Sequence, residues 1–248
     1  MRIHLKEAKY EFLKALRLPA YSLPTILFPV IFYSFFGVLY GAKPLKGGLG
    51  LATYLLATYG AFGVIGAALF GFGVSVAIER GQGWLEAKRT TPMPVSAYFF
   101  AKTAMAVIFG AAVVLLLFAM GILFGGVSIP FVKAITLFAI LIAGAVPFCA
   151  LGLAIATFTS PTSATPIVNC IYLPMGFLSG LWIPFQALPQ SVQKIAVFLP
   201  PYHYSQLALG VIGGDRGSSP LLHLGVLALT TVIFATVAWF GFRRETTA

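Results

Sequence analysis

The chain has 248 residues, of which 59% are apolar and 15% aromatic, while only 9% are charged. An ordinary soluble domain carries roughly a quarter charged residues, so this composition excludes that class. The net charge of +10 arises from 16 basic and 6 acidic residues. These are too few to line a nucleic-acid groove, and no nucleic-acid partner is expected.

Long stretches without charge predict the membrane spans. Residues 18–42, 47–78, 103–132, 134–193 and 217–242 contain no Asp, Glu, Lys or Arg, and a helix needs about 20 such residues to cross the hydrocarbon core. The longest stretch divides at the polar, proline-containing segment 157–163, which is typical of a turn. The sequence therefore predicts an all-α polytopic membrane protein with six transmembrane helices, over about 20–41, 52–78, 97–124, 133–157, 165–185 and 220–241.

The first 18 residues are expected to form an amphipathic interfacial helix. Leu5, Ala8, Phe12 and Leu16 recur at helical spacing, and charged residues occupy the remaining positions. Such a helix lies in the headgroup layer of the membrane. A solvated charged leader is the alternative.

A second short helix is expected between the fifth and sixth spans, in the region 186–217. The segment between Pro189 and Pro200 rises only about 15 Å as a helix, which is too short to cross. A re-entrant or outer helix fits this length. Tyr202, His203 and Tyr204 follow it and are typical of an aromatic belt at the membrane interface. The alternative is a role for His203 in contacting substrate or handling protons.

The distribution of basic residues predicts the orientation. Eleven lie in the N-terminal segment, the 79–96 loop with the start of the third span, and the C-terminus: Arg2, Lys6, Lys9, Lys14, Arg17, Arg80, Lys88, Arg89, Lys102, Arg243 and Arg244. Five lie on the other side: Lys43, Lys46, Lys133, Lys194 and Arg216. Basic residues are retained in the cytoplasm, so both termini and the loop are expected to face it, with the protein in the plasma (inner) membrane.

Several kinds of chemistry find no support in the sequence. All six acids are assigned to the leader, loops or C-terminus, which disfavours a carrier coupled to an ion inside the membrane. His223 has no acidic or nucleophilic partner nearby in sequence, and no metal-ligand spacing joins the histidines. Cys149 and Cys170 lie in apolar sequence and are expected to be buried packing residues. No phosphate-binding loop is present, so ATP would be bound by another chain.

Two motifs resemble those of type-2 ATP-binding-cassette (ABC) exporter permeases. Residues 79–92 read ERGQGWLEAKRTTP, which is similar to the loop after the second span in that family. Residues 177–184 read FLSGLWIP and are followed by Leu188-Pro189 and by LPPY at 199–202, which resembles the family's fifth-span signature. With the amphipathic leader and the six spans, the resemblance covers essentially the whole chain.

The resemblance implies a single transmembrane domain over residues 1–248 that forms a homodimer and binds two cytoplasmic ABC ATPase subunits. It implies a non-enzymatic permease that exports an amphipathic small molecule, with multidrug efflux as one example, while ATP and magnesium bind the partner subunit and no cofactor binds this chain. The residues expected to couple to the ATPase are Glu79, Arg80, Gly83, Trp84, Leu85, Glu86, Lys88, Arg89, Thr90 and Pro92. The residues expected to line the substrate path or its gate are Asn169, Tyr172, Phe177, Ser179, Trp182, Pro184 and Val192.

Two alternatives from other classes stay open at this point. An ion-coupled secondary transporter would lose transport when an uncoupler is added at constant ATP. A non-transporting membrane anchor would bind a cytoplasmic partner without moving any cargo.

The distribution of basic residues makes a topological prediction. We expect cysteines introduced singly at positions 43 and 133, in a chain whose native cysteines are replaced, to react with an impermeant thiol reagent in intact cells. A cysteine at position 88 should react only after the membrane is permeabilised. Labelling of position 88 in intact cells would contradict the predicted orientation.

Overall fold

The computed structural model describes residues 2–41, 45, 48–84, 87, 90 and 93–245, and this part of the chain is helical apart from its turns and loops. The α-helices are α1 (Arg2–Leu16), α2 (Pro19–Tyr33), α3 (Leu51–Ala68), α4 (Ser75–Gly81), α5 (Val95–Leu123), α6 (Phe131–Ala143), α7 (Ala145–Phe158), α8 (Ala164–Leu178), α9 (Gln190–Ala196), α10 (Pro200–Ile212) and α11 (Pro220–Glu245). Two π-helical segments, Ser34–Leu39 and Leu69–Val74, extend α2 and join α3 to α4. The all-α prediction is confirmed.

Five continuous helical stretches are long and apolar enough to cross a membrane: Tyr21–Leu39, Leu51–Gly81, Val95–Leu123, Phe131–Phe158 and Pro220–Arg243. They correspond to five of the six predicted spans. The remaining one, predicted over 165–185, is helical only over the 15 residues of α8. Fifteen residues rise about 22 Å, less than the hydrocarbon thickness, and the chain then turns at Gly180, whose φ is +75°. The described residues therefore form five to six apolar membrane-spanning helices.

The second span, Leu51–Gly81, is the most buried of these stretches and forms the centre of the bundle. Its glycines permit close helix contacts. A Cβ atom on Gly73 would lie 2.9 Å from the carbonyl oxygen of Gly152 in α7, so the two backbones are in direct contact there. The second and fourth spans are thereby held at a separation that no larger residue permits.

The fourth span is interrupted between α6 and α7. Pro147, the third residue of α7, has no N–H with which to continue the hydrogen-bond ladder, and carbonyl groups at the end of α6 need other donors. The Tyr204 hydroxyl of α10 donates to the carbonyl of Leu141. A Cβ on Gly144 would lie 2.0 Å from the Tyr204 ring, so only glycine leaves room for this side chain.

The region between the fifth and sixth spans contains more structure than the one short helix predicted there. A 3-10 turn at Phe185–Ala187 and the short α9 precede α10, which begins at Pro200 and ends at Gly213 with φ of +76°. α10 packs against α3, α6 and α11. Tyr202, His203 and Tyr204 are therefore buried rather than exposed in an interfacial belt, and that interpretation was wrong.

Helix α1 packs against α5, and the packed face coincides only in part with the predicted apolar stripe, since Phe12 lies against Phe109 of α5. Glu11 and Ala15 are its most buried side chains, whereas Leu5 and Leu16 are exposed. The carboxylate of Glu11 faces the bundle because it pairs there with the buried ammonium group of Lys102. Of the two cysteines, Cys149 is buried as expected and Cys170 is exposed, which corrects that expectation.

Candidate functional site

Four charged side chains meet at the end of the bundle where α1, α4 and α5 converge. They are Glu11 and Lys14 from α1, Glu79 from α4 and Lys102 from α5. Two positive and two negative groups make the cluster neutral. This neutrality allows charged groups to be buried at all, since an unpaired buried charge is strongly unfavourable.

Lys102 is the centre of the cluster and is fully buried. Its ammonium group donates to a carboxylate oxygen of Glu79 at 2.8 Å, and also to Glu11 and to the hydroxyl of Ser75. A lysine has three N–H groups to donate, so each finds an acceptor. Glu79 accepts further bonds from Lys14 and from the Tyr98 hydroxyl, the latter at 2.7 Å.

The half-exposed Lys14 connects this cluster to the surface. Burial lowers the pKa of Lys14, but the hydrogen bond to Glu79 and the charges of Glu79, Glu11 and Glu7 outweigh that effect, and the pKa is raised. A raised pKa for a base means that its stabilising contribution is complete below the ordinary value of about 10.5 and is lost only above it. The ion pair between Lys14 and Glu79 is therefore not lost by deprotonation of Lys14 over the physiological pH range.

The cluster corrects two assignments made from sequence. Glu79 is predicted in the 79–96 loop, and Lys102 is grouped with that loop among the basic residues on one side of the membrane, yet helix α4 continues to Gly81 and Lys102 lies two turns inside α5. Glu11 is predicted among the charged positions outside the apolar stripe of the leader, and it is buried. One signal was available: Lys102 falls within the predicted third span, and an ionisable residue inside a span needs a partner.

Arg80, the neighbour of Glu79, binds the turn between the fourth and fifth spans. Its guanidinium donates to the carbonyl oxygens of Thr157 and Thr159, each at 2.7 Å. These carbonyls belong to the C-terminal end of α7, where a cation is favoured by the unpaired acceptors and the helix dipole. Gly81 follows so close to Pro161 that a Cβ would lie 1.9 Å from its ring.

The predicted coupling loop begins directly after this contact. Gly83 has φ of +74°, which only glycine adopts readily, and Trp84 beyond it is 57% exposed. Thr90 donates to the carbonyl of Ala87 at 2.8 Å. The other predicted coupling residues lie outside the described part of the chain: Leu85, Glu86, Lys88, Arg89 and Pro92.

A small cavity of about 250 Å³ lies between α1 and this loop. Its walls combine the three carboxylates of Glu7, Glu11 and Glu79 with Lys14, and the indole of Trp84 lies at its edge. The exposed indole and the ion cluster are therefore parts of one surface.

A larger cavity of about 430 Å³ lies between the first, second and fifth predicted spans. Its walls are mainly apolar, with a few hydroxyl and amide groups, and consist of Leu18, Tyr21, Pro24, Thr25, Phe28, Pro29, Gly66, Phe70, Val74, Ile78, Thr165, Asn169, Tyr172 and Leu173. Residues from the start of α2, the end of the second span and the start of α8 predominate. The cavity thus lies in the half of the bundle nearer to the ion cluster.

An aromatic cluster lies beside this cavity, on the side away from the ion cluster. Tyr172 stacks on Phe62 with ring centroids 4.3 Å apart, and the Trp182 ring lies 5.4 Å from that of Phe62. Phe28 and Phe32 of α2 lie 6.1 and 5.6 Å from Trp182. The Tyr172 hydroxyl donates to the carbonyl of Phe62 at 2.9 Å, which ties α8 to the second span.

The structure therefore brings together only some of the predicted path residues. Asn169 and Tyr172 line the large cavity, and the Asn169 amide donates to the carbonyl of Thr165 at 3.2 Å. Trp182 belongs to the aromatic cluster. Phe177 is exposed, and Ser179 is buried in the turn after α8.

The two remaining path residues, Pro184 and Val192, lie in the segment between α8 and α10. Pro184 precedes the 3-10 turn at Phe185–Ala187, and Val192 packs on the small apolar cluster that contains Phe185 and Tyr202.

Comparison with known proteins decides the family. Residues 8–212 match the family described as ABC-2 type transporter. The chain belongs to the ABC-2 type transporter family. Over 246 residues, covering 99% of both chains, it is 28% identical to the Bacillus subtilis (strain 168) protein named "Putative transport permease YvfS". Over 75 residues, 30% of this chain and 29% of the relative, it is 36% identical to Nodulation protein J of Rhizobium leguminosarum bv. viciae.

Membership of the ABC-2 family makes this chain a multi-pass membrane protein of a transport permease family. The predicted resemblance is thereby confirmed. Among the described residues, no group of three or more His, Cys, Asp or Glu side chains is placed to hold a metal ion.

Replacing Lys102 by methionine tests the ion cluster. The substitution leaves Glu11 and Glu79 buried without their shared cation, so we expect a loss of about 3–5 kcal/mol in stability, measured by thermal unfolding of the purified protein. The triple variant Glu11→Gln, Glu79→Gln, Lys102→Met should recover much of that loss because no buried charge is left unpaired, and Lys14, which loses Glu79, is half-exposed to solvent. The control is Lys9→Met on the exposed face of α1, which should be nearly neutral; equal effects of Lys9→Met and Lys102→Met would contradict the assignment.

Proposed function

We propose that this chain is the permease subunit of an ATP-driven exporter that moves an amphipathic or hydrophobic compound out of the cell. Two copies would form a homodimer and bind two cytoplasmic ABC ATPase subunits, which carry the ATP and magnesium. The cargo class is that of drugs, antibiotics or lipid-like compounds. Both termini and the ion cluster would face the cytoplasm.

The observation that carries this proposal is the arrangement at the cytoplasmic end of the second span. Three consecutive residues make these contacts: Glu79 is held by ion pairs to α1 and α5, Arg80 is bonded to the turn after α7, and Gly81 contacts that turn. The loop with the exposed Trp84 starts immediately afterwards. A displacement of this loop by an ATPase would therefore reach the leader and three spans at once.

The large cavity supports the cargo class. It has room for an organic molecule of moderate size, and its mainly apolar wall with a few polar groups is typical of sites for amphipathic ligands. The aromatic cluster lies between the cavity and the outer region. A cargo loaded from the cytoplasmic half would have to pass this cluster, so movement of α8 relative to the second span is the expected transport step.

The exposed surfaces of the first and last spans support dimer formation and contact with lipid. These spans are the least buried of the five long ones, and apolar side chains such as Leu27, Ile31 and Phe35 of the first span and Val232 and Phe240 of the last are exposed. Charge-free surfaces of this kind are stable only against lipid or another protein.

The two alternatives have less support. An ion-coupled carrier uses an ionisable group that can exchange its ion during transport, whereas the ammonium and carboxylates of the ion cluster are bound to one another. A membrane anchor that transports no cargo does not require a cavity within its helix bundle. Insensitivity of transport to an uncoupler at constant ATP would separate the proposal from the carrier.

Trp84 tests the contact with the ATPase. An exposed aromatic residue at the centre of an interface typically contributes about 2 kcal/mol or more to binding, so Trp84→Ala should weaken retention of the ATPase by about thirtyfold. The measurement is co-purification of the ATPase together with transport-coupled ATP hydrolysis. Trp239→Ala is a matched control, because Trp239 is 58% exposed, on α11; equal retention by both variants would count against the coupling role of the loop.

Asn169 tests the large cavity. Phenylalanine at this position would occupy part of the cavity and exclude cargo from it, and a loss of about 1.4 kcal/mol or more in cargo binding should lower export by about tenfold or more while the ATPase stays bound. Cys170→Phe is the control, since Cys170 is the next residue on α8 and is exposed outside the cavity. Export equal to that of the control, in protein shown to assemble, would remove this cavity from the transport path.

A further inference from the structure

Two histidines far apart in sequence form a buried pair in the outer region. The Nδ1 atoms of His203 on α10 and His223 near the start of α11 are 2.8 Å apart, and the ring centroids lie 5.1 Å apart. Only 5% of His203 and 2% of His223 is exposed. The pair is the polar contact between the re-entrant α10 and the last span, in a region otherwise packed by apolar and aromatic groups.

The surrounding hydrogen bonds determine which nitrogen carries each proton. His203 Nε2 lies 2.9 Å from the carbonyl oxygen of Val197, which can only accept, so His203 must carry its proton on Nε2. Its Nδ1 is then an acceptor, and His223 must donate from Nδ1. His223 Nε2 is left as an acceptor, and it is buried without a hydrogen-bond partner among the described residues.

The neutral pair satisfies both of these contacts, and full protonation of the pair disrupts it. A proton on His223 Nε2 creates a buried cation whose new N–H group has no acceptor. One proton on the pair keeps the contact if His203 donates from Nδ1 and His223 carries its proton on Nε2, but a second proton places two N–H groups against each other over 2.8 Å and breaks the hydrogen bond. Burial lowers the pKa of His203, partly offset by its bond to Val197, so the stability from the neutral ring is complete above the ordinary value and is lost as the pH falls.

The other titratable or charged groups on the packed elements do not replace these contacts. The carboxylate of Asp215, in the loop between α10 and α11, interacts electrostatically with His223. The Arg216 guanidinium lies 4.7 Å from the centre of the Phe185 ring. Lys133 on α6 and Lys194 on α9 are exposed. The packed elements also carry several tyrosines: Tyr202 against both imidazoles, Tyr204 on α10, and Tyr54 and Tyr59 on α3. Cys149 lies on α7, which packs against α11, and Arg243 lies near the far end of α11.

We propose that His203 and His223 form a proton-binding latch that holds α10 against the last span when both rings are neutral and releases it when they bind protons. The ligand is the proton itself. On the proposed topology the latch faces the outside, so acidification of the external medium would loosen the re-entrant helix. The latch is a property of the folded chain and does not depend on the cargo or on the ATPase.

The tautomers provide a direct test, because the chain contains only three histidines. Nitrogen-15 NMR of histidine-labelled full-length protein in lipid nanodiscs should show, at pH 8, His203 protonated on Nε2 and His223 protonated on Nδ1, with an internuclear coupling across the Nδ1–Nδ1 hydrogen bond. Single His→Gln variants assign the signals. Two rings protonated on the same type of nitrogen, or charged rings at pH 8, would overturn the proposal.

Hydrogen exchange tests the release of α10. We expect amide exchange in peptides covering residues 200–212 to accelerate by about fivefold between pH 8 and pH 5.5 in the wild type relative to the variant His203→Phe, His223→Phe, which has no proton to bind. Comparing the two proteins at each pH cancels the intrinsic pH dependence of exchange. His4→Phe, on α1, should behave as the wild type, and an identical pH response of wild type and double variant would refute the latch.

If the double variant does not fold, the tautomer measurement on the wild type still decides the proposal. Failure of the chain to bind an ATPase or to export would leave both readouts unchanged, so the latch and the proposed transport function fail separately.

Discussion

The end of the bundle where α1, α4 and α5 converge depends on the contacts of the Lys102 ammonium group. A lysine buried in a bundle of apolar helices is tolerated only if each of its donors is bound and its charge is balanced. Glu11, Ser75 and Glu79 meet the first requirement, and the two carboxylates with Lys14 meet the second. This need explains why the leader helix turns a glutamate toward the bundle beside its apolar contacts through Phe12 and Ala15.

The contacts around Glu79 and Arg80 also determine which helices are mechanically coupled. Glu79 belongs to the ion cluster, and its neighbour Arg80 donates to the carbonyl groups at the end of α7. Earlier in the same span, the backbone of Gly73 contacts the backbone of Gly152. The second span thus contacts α7, the second half of the fourth span, at two places: through Arg80 and through Gly73. Since α8 follows α7 through the short turn at 159–163, a force on the loop after Gly81 reaches the helix that carries Asn169 and Tyr172.

The two ends of the bundle use different chemistry for similar purposes. At the end of the bundle that holds the ion cluster, ion pairs with Lys14, whose pKa is raised, hold the leader in place over the whole physiological pH range. At the start of the last span, a hydrogen bond between two imidazoles joins α10 to α11. A contact between two groups that can each bind a proton is weakened by acid, whereas an ammonium–carboxylate pair is lost only when the carboxylate is protonated or the ammonium is deprotonated.

Sequence alone determined the properties that depend on composition and local order: an all-helical membrane protein, the approximate positions of its spans and the family resemblance of the loop after residue 79. Hydrophobic length and helix periodicity are local, so they can be read along the chain. Tertiary structure alone decided which residues meet. Lys102 binds Glu11, 91 positions away in the sequence, and His203 contacts His223, 20 positions away. Helix packing also produces the shortened α8, the break at Gly144 that Tyr204 fills and the cavity beside Tyr172. Such contacts satisfy buried polar groups and fill space between helices, and neither requirement leaves a pattern in the order of residues until the helices are placed side by side.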